Sequence, residues 1–162
     1  MSSKDMNRDA GTVATVFEHG LRVYWEDTDA GGVVFYANYL KFFERARTEW
    51  LRRLGFGQEA MRHESGVMFV VGQTSVRYLR PARLDDWLFV TVEPRELGRA
   101  SMLVFQQAFI EGPQGRRLLA EGEIRIGCVS AQLAGSDAIA EFKPCRIPAS
   151  VIEALQKPVV AL

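Results

Sequence analysis

YANYLKFFERARTEWLRRL, Tyr36 to Leu54, decides the fold class of this 162-residue chain. Tyr39, Phe43, Ala46, Trp50 and Leu54 recur at spacings of three and four, and Leu40 and Leu51 widen the stripe. That is the period of an amphipathic helix, about 27 Å long for roughly 18 residues. Gly55 stands where a left-handed C-terminal stop is expected. Arg52 and Arg53 fall in the last turn, where positive charge suits the helix dipole, and Glu49 is spaced to pair with Arg53.

Around this helix the chain reads as β. Leu21, Val23 and Trp25 alternate at a period of two, which predicts a first strand from Phe17 to Trp25. A second short helical piece is expected from Gln58 to Glu64. Strands are expected at Val67 to Leu79, Trp87 to Glu93, Ser101 to Glu111 and Leu118 to Val129. Pro81, Pro94 and Gly112-Pro113-Gln114-Gly115 punctuate them as turns, the last closing a hairpin. Pro148 to Gln156 reads as a C-terminal helix with Pro148 near its start. One strand, a long helix and four strands do not make a doubly wound parallel sheet. They make an α+β fold, a five-stranded antiparallel sheet curled around one helix. Its bare edges and second face predict an oligomer.

Composition sets the limits. Twenty basic residues balance twenty acidic ones, which excludes a globally basic surface for nucleic acid. Cys128 and Cys145 lack C-x-x-C spacing, so they read as reduced, mostly buried thiols rather than a disulfide framework or zinc site. Residues 1–14 mix charged and small residues without the apolar run of a signal peptide, and no stretch reaches transmembrane length. The expected organisation is a loose tail at 1–14, one domain at 15–157, a short tail at 158–162, and a cytoplasmic location.

The loop ahead of the helix, DTDAGGVVFY (Asp27 to Tyr36), carries more acid than a turn needs. Three readings compete. Asp27, Asp29 and Gly32 fit three positions of a calcium loop, but Gly31 and Asn38 stand where further oxygen ligands belong, and a strand precedes the loop where a helix is required. Aspartates also fold back onto their own backbone in turns, with glycines supplying positive φ. The third reading is catalytic: a carboxylate beside unpaired N–H groups at a helix start can attack, or activate water to attack, a carbonyl that those groups polarise. Other tools are scarce. The chain has His19 and His63 but no nucleophile elbow, zincin motif or Walker loop.

RVYWEDTDAGGVVFYANYLKFFERARTEWL (Arg22 to Leu51), VRYLRPARLDD (Val76 to Asp86) and GRASMLVF (Gly98 to Phe105) together resemble the hotdog-fold acyl-CoA thioesterases. The likeness is to the 4-hydroxybenzoyl-CoA thioesterase type, closest to the YbgC-like branch associated with the Tol-Pal envelope system, and spans about Leu21 to Val129. It implies a long helix wrapped by an antiparallel sheet, dimers with active sites at the subunit interface, and commonly tetramers. It implies an acyl-CoA substrate, with acyl carrier protein as the other possible carrier, and no metal or other cofactor. The family's catalytic carboxylate falls on Asp29 and its carbonyl-polarising backbone N–H on Tyr36, where close relatives often carry histidine. Arg99 and Ser101 fall where the family contacts the CoA nucleotide. Arg77, Arg80 and Arg83 are further candidate cations or solvated turn residues, whereas Arg45 and Arg47 read as structural. Another hotdog branch works with a carboxylate on the helix, which makes Glu44 the alternative base. The dehydratase branch needs a histidine motif that this chain lacks. A non-catalytic acyl-CoA or acyl-carrier-protein binding module, or an envelope-complex scaffold, is the alternative to an enzyme. Trp50, Phe42 and Phe43 are candidates for lining an acyl pocket or for the core.

Overall fold

The computed structural model describes residues 16–132 and 141–157, so both expected tails lie outside the described residues. Strand β1 (Phe17–Arg22) leads into a 3₁₀ turn at Trp25–Asp27, and helix α1 (Asn38–Arg53) follows. Then come α2 (Gln58–Ser65), β2 (Val67–Tyr78), β3 (Trp87–Leu97), β4 (Ser101–Gly112), β5 (Gly115–Gln132), β6 (Glu141–Pro144) and α3 (Ala149–Gln156). The strands pair antiparallel in the order β1-β3-β4-β5-β2, and β6 pairs with β5. Among the described residues the sheet therefore has six strands, not the expected five. The sixth takes up the line of β4 beyond its first residue: Ser101 faces Gly127, and Pro144 faces Val129.

Helix α1 lies against the inner sheet face. Phe42 and Phe43 are fully buried in the same core cluster as Leu88, Val90 and Val104. Each such ring contributes about 1.5–3 kcal/mol by leaving water, so both are core rather than pocket lining. The helix ends as the sequence predicts. Gly55 has φ +95°, and Gly55 N–H and Phe56 N–H close onto Arg52 and Leu51 carbonyls at 2.9 Å each. Glu49 pairs with Arg52 rather than Arg53, at a spacing of three instead of four.

Three boundaries differ from expectation. The first strand stops at Arg22, and Trp25 is 81 % exposed in the 3₁₀ turn. The helix begins at Asn38, because Tyr36 and Ala37 form a turn closed by Asn38 N–H to Phe35 O at 2.8 Å. Pro94 lies inside β3 rather than in a turn. Pairing with β1 has ended at Val92, and the ladder to β4 shifts register between Pro94 and Glu96. A bulge of this kind accommodates a residue with no N–H.

One polar side chain pins helix to sheet. Gln106, fully buried on β4, donates to Phe43 O at 3.1 Å and Thr91 O at 3.2 Å, and accepts from Arg47 at 2.8 Å. Burial pulls the Arg47 guanidinium below the usual arginine range. On β5, Gly122 lets β2 come close: a Cβ there would stand 2.6 Å from Ser75 O.

Candidate active site

The acidic loop is a miniature hairpin. Thr28 and Val34 pair as an isolated antiparallel bridge, Asp29 N–H donates to Val33 O at 2.9 Å, and Phe35 N–H donates to Asp27 O at 2.9 Å. Gly32 closes the tip with φ +75°, a conformation that suits glycine. Val33 bridges to Arg83, and Val34 N–H donates to Ala82 O at 2.8 Å, which docks the hairpin on the segment ahead of β3.

The two aspartates have different surroundings. Asp27 is 4 % exposed. Its carboxylate accepts Tyr24 N–H at 2.8 Å, and its carbonyl also accepts the Asn38 side-chain amide at 2.8 Å. It is consumed by the turn. Asp29 is exposed, and only its Oδ1 is engaged within the described residues, by Gly31 N–H at 2.8 Å. Its other oxygen is free to accept a proton or meet an electrophile. The structural reading of this loop thus holds for Asp27, and Asp29 is the exposed carboxylate that the catalytic reading requires.

At the other end of the hairpin the chain enters α1. No side chain caps that helix start, and among the described residues Tyr36 N–H has no acceptor. The Tyr36 carbonyl is held by the Tyr78 hydroxyl at 2.9 Å, and the two rings meet edge to face. Tyr36, Tyr39, Tyr78, Arg80 and Pro81 surround an open cleft of about 260 Å³. An uncapped helix start beside a cleft is a place where N–H groups can meet a carbonyl oxygen.

The remaining candidates scatter. Arg99 lies in the β3–β4 turn and Ser101 opens β4, with Gly98 N–H donating to Ser101 O at 2.8 Å across the turn. The hairpin that carries Asp29 docks through Val33 at Arg83, before the start of β3, and Arg99 follows its end, so about 35 Å of strand lies between the two places. Arg77 pairs with Glu121, Arg80 donates to Leu118 O at 2.9 Å, and Arg83 N–H donates to Asp86 at 2.8 Å. Glu44, exposed on α1, accepts from Thr48 at 2.7 Å. With Arg47, Trp50 and Phe69 it lines a separate cavity of about 170 Å³ between α1 and β2. His63 pairs with Glu59. The described residues contain no group of three or more His, Cys, Asp or Glu able to hold a metal ion.

Residues 31–116 match a family model described as "Thioesterase superfamily". The chain belongs to the thioesterase superfamily. As a thioesterase it is 42 % identical over 138 residues to the acyl-CoA thioester hydrolase YbgC of Escherichia coli O6:H1, covering 85 % of this chain and 94 % of that one. A probable thioesterase from Bartonella henselae superposes with a TM-score of 0.67 at 30 % identity, covering 82 % of this chain and 98 % of the other. A mutant 4-hydroxybenzoyl CoA thioesterase complexed with 4-hydroxybenzoyl CoA superposes with a TM-score of 0.78 at 18 % identity, covering 87 % and 99 %, and shares the hotdog fold.

Two features of the thioesterase escape a reading of its sequence. Tyr78 reaches the Tyr36 carbonyl from a residue 42 positions away, and no local pattern announces it. Asn38 reaches back to Asp27 from the helix start. Its polar type at the start of the aromatic stripe was the available signal.

Proposed function

We propose that this thioesterase hydrolyses acyl-CoA thioesters, with Asp29 as nucleophile or general base and Tyr36 N–H polarising the thioester carbonyl. The observation that carries this reading is the pairing, on one hairpin, of an exposed carboxylate with an amide that has no acceptor among the described residues. Asp29 either attacks the carbonyl carbon or takes a proton from the attacking water, and the negative charge that develops on the carbonyl oxygen meets the amide and the positive end of α1. The carbon–sulfur bond then breaks, CoA leaves as a thiolate, and water supplies the oxygen of the free acid. The name of the Escherichia coli relative and the CoA complex of the 4-hydroxybenzoyl CoA thioesterase support CoA as the carrier.

The working unit in this reading is a homodimer, free to pair into a tetramer, in the cytoplasm. Strand β2 is the last of the strand order and has β5 on one side only. Two copies paired antiparallel through β2 run Val67 of one toward Tyr78 of the other. That brings the end of the sheet carrying Arg99 and Ser101 in one copy toward the Tyr36 cleft of its partner, where the two residues would hold the CoA nucleotide. A link to the Tol-Pal system rests on the resemblance alone. Among the described residues no helix is long and apolar enough to cross a membrane.

The test is thiol release from a panel of acyl-CoAs, followed with a thiol-reactive dye. Asp29→Asn keeps the Oδ1 that accepts Gly31 N–H and removes the charge. Turnover by the native chain that falls at least ~10²-fold in the variant supports the assignment. Equal turnover removes Asp29 from it, and binding of every acyl-CoA without hydrolysis favours the binding-module alternative.

A further inference from the structure

Two thiols that this reaction does not use touch at the far end of the sheet. The register that sets Val129 opposite Pro144 sets Cys128 opposite Cys145 one step on, and Cys145 N–H donates to Cys128 O at 3.0 Å. Directly opposed residues of an antiparallel pair have Cα atoms about 4.5–5.5 Å apart, within the span that a disulfide bridges. Both cysteines are free, and their sulfurs are 3.5 Å apart. Closure asks the sulfurs to approach by roughly 1.5 Å.

Their exposure suits a stepwise oxidation. Cys145 is half-buried and reachable from solvent, whereas Cys128 is 1 % exposed. Burial, then the hydrogen bond with Cys145, push the Cys128 thiol up to about 12. It stays protonated at neutral pH and leaves the first encounter with an oxidant to Cys145.

We propose that Cys128 and Cys145 form a reversible dithiol–disulfide site, oxidised by a peroxide, that fastens the segment after β6 to β5 beneath the Gly98–Ser101 turn. The Cys145 sulfur attacks one peroxide oxygen and the O–O bond breaks, leaving a sulfenic acid and one water. The Cys128 sulfur then attacks the sulfenic sulfur. Its proton and the sulfenic hydroxyl leave as a second water, and the S–S bond forms. In sum, two thiols give up two electrons and two protons, and hydrogen peroxide becomes two waters.

The site reaches the turn through the backbone. Cys128 N–H donates to Ala100 O at 2.7 Å, and Ile147 N–H donates to Arg99 O at 2.8 Å. The bridge would therefore sit between the bond that holds Ala100 and the bond that holds Arg99. Resting on the proposed CoA contact of Arg99 and Ser101, closure changes KM for acyl-CoA and leaves kcat alone, since the turn would grip the nucleotide end of the substrate and not the thioester.

The test titrates the purified chain with hydrogen peroxide and reads non-reduced intact mass, thermal unfolding and acyl-CoA kinetics. The expected product is lighter by about 2 Da, reverts with dithiothreitol, and is absent from Cys145→Ser and Cys145→Ala. Its Tm rises by roughly 5–10 °C, and KM shifts at least ~2-fold at constant kcat. Mass gains in steps of one oxygen, with no lighter species, overturn the site. A disulfide that leaves KM unmoved overturns its link to the turn. Arg99→Ala on the reduced chain separates that outcome from failure of the CoA reading: an unchanged KM there removes Arg99 from the nucleotide site whatever the thiols do.

Discussion

Replacing Gln106 with leucine removes the polar bolt between α1 and the sheet while keeping similar bulk. The native amide donates to Phe43 O and Thr91 O and accepts from Arg47, all at a fully buried position. Two neutral bonds contribute about 1 kcal/mol each, and the bond from the guanidinium about 1.5–3 kcal/mol. The added apolar burial of leucine offsets about 1 kcal/mol. The expected net loss is about 2.5–4 kcal/mol, or a Tm lowered by roughly 5–16 °C. Urea unfolding should show the midpoint falling with an unchanged slope. Much of the loss is the guanidinium left without its acceptor, so Arg47→Met in the same chain should recover at least ~1 kcal/mol, because removing both partners costs less than removing one. A single-variant loss under ~1 kcal/mol, or a double variant less stable than the single, would refute the reasoning.

Three further outcomes are expected. Tyr39 is 2 % exposed and its hydroxyl accepts Ala82 N–H at 3.1 Å. Burial raises it above the ordinary value of 10.0, so above that pH the unfolded chain releases its proton first. Stability then falls by up to ~1.4 kcal/mol per pH unit, and Tyr39→Phe flattens that slope in denaturation midpoints taken across the alkaline range. Tyr78→Phe frees the Tyr36 carbonyl; at about 0.5–1.5 kcal/mol for one bond, initial-rate kinetics should show kcat lowered about 2- to 10-fold. Gly122→Ala drives a methyl against Ser75 O, and calorimetry should find a loss of about 1–3 kcal/mol.

The long helix was legible because one period governs it from Tyr39 to Leu54 and a glycine ends it. Its start was not. Ala37 is no capping residue, and the polar Asn38 spends its side chain on Asp27. The Asp29 hairpin could be located from its glycines, but which of two aspartates two residues apart keeps a free carboxylate oxygen depends on which one the fold buries. Strand β6 had no readable signal: four residues with a glutamate, a lysine and a proline are a strand only because β5 runs past β4 and offers them an edge. Gln106 offered one. It is a polar residue at an inner position of β4, between Val104 and Ala108, and a buried amide needs partners.

The placement of Asp29 and Arg99 at opposite ends of β3 has a genetic consequence. If two chains pair through β2 as proposed, each reaction centre draws its carboxylate from one polypeptide and its nucleotide grip from the other. A chain carrying Asp29→Asn and a chain carrying Arg99→Ala are then each impaired alone. Expressed together they form mixed dimers in which one centre collects both lesions and the other is wild type. Two defective alleles would thus restore, by partnership, an activity that neither encodes.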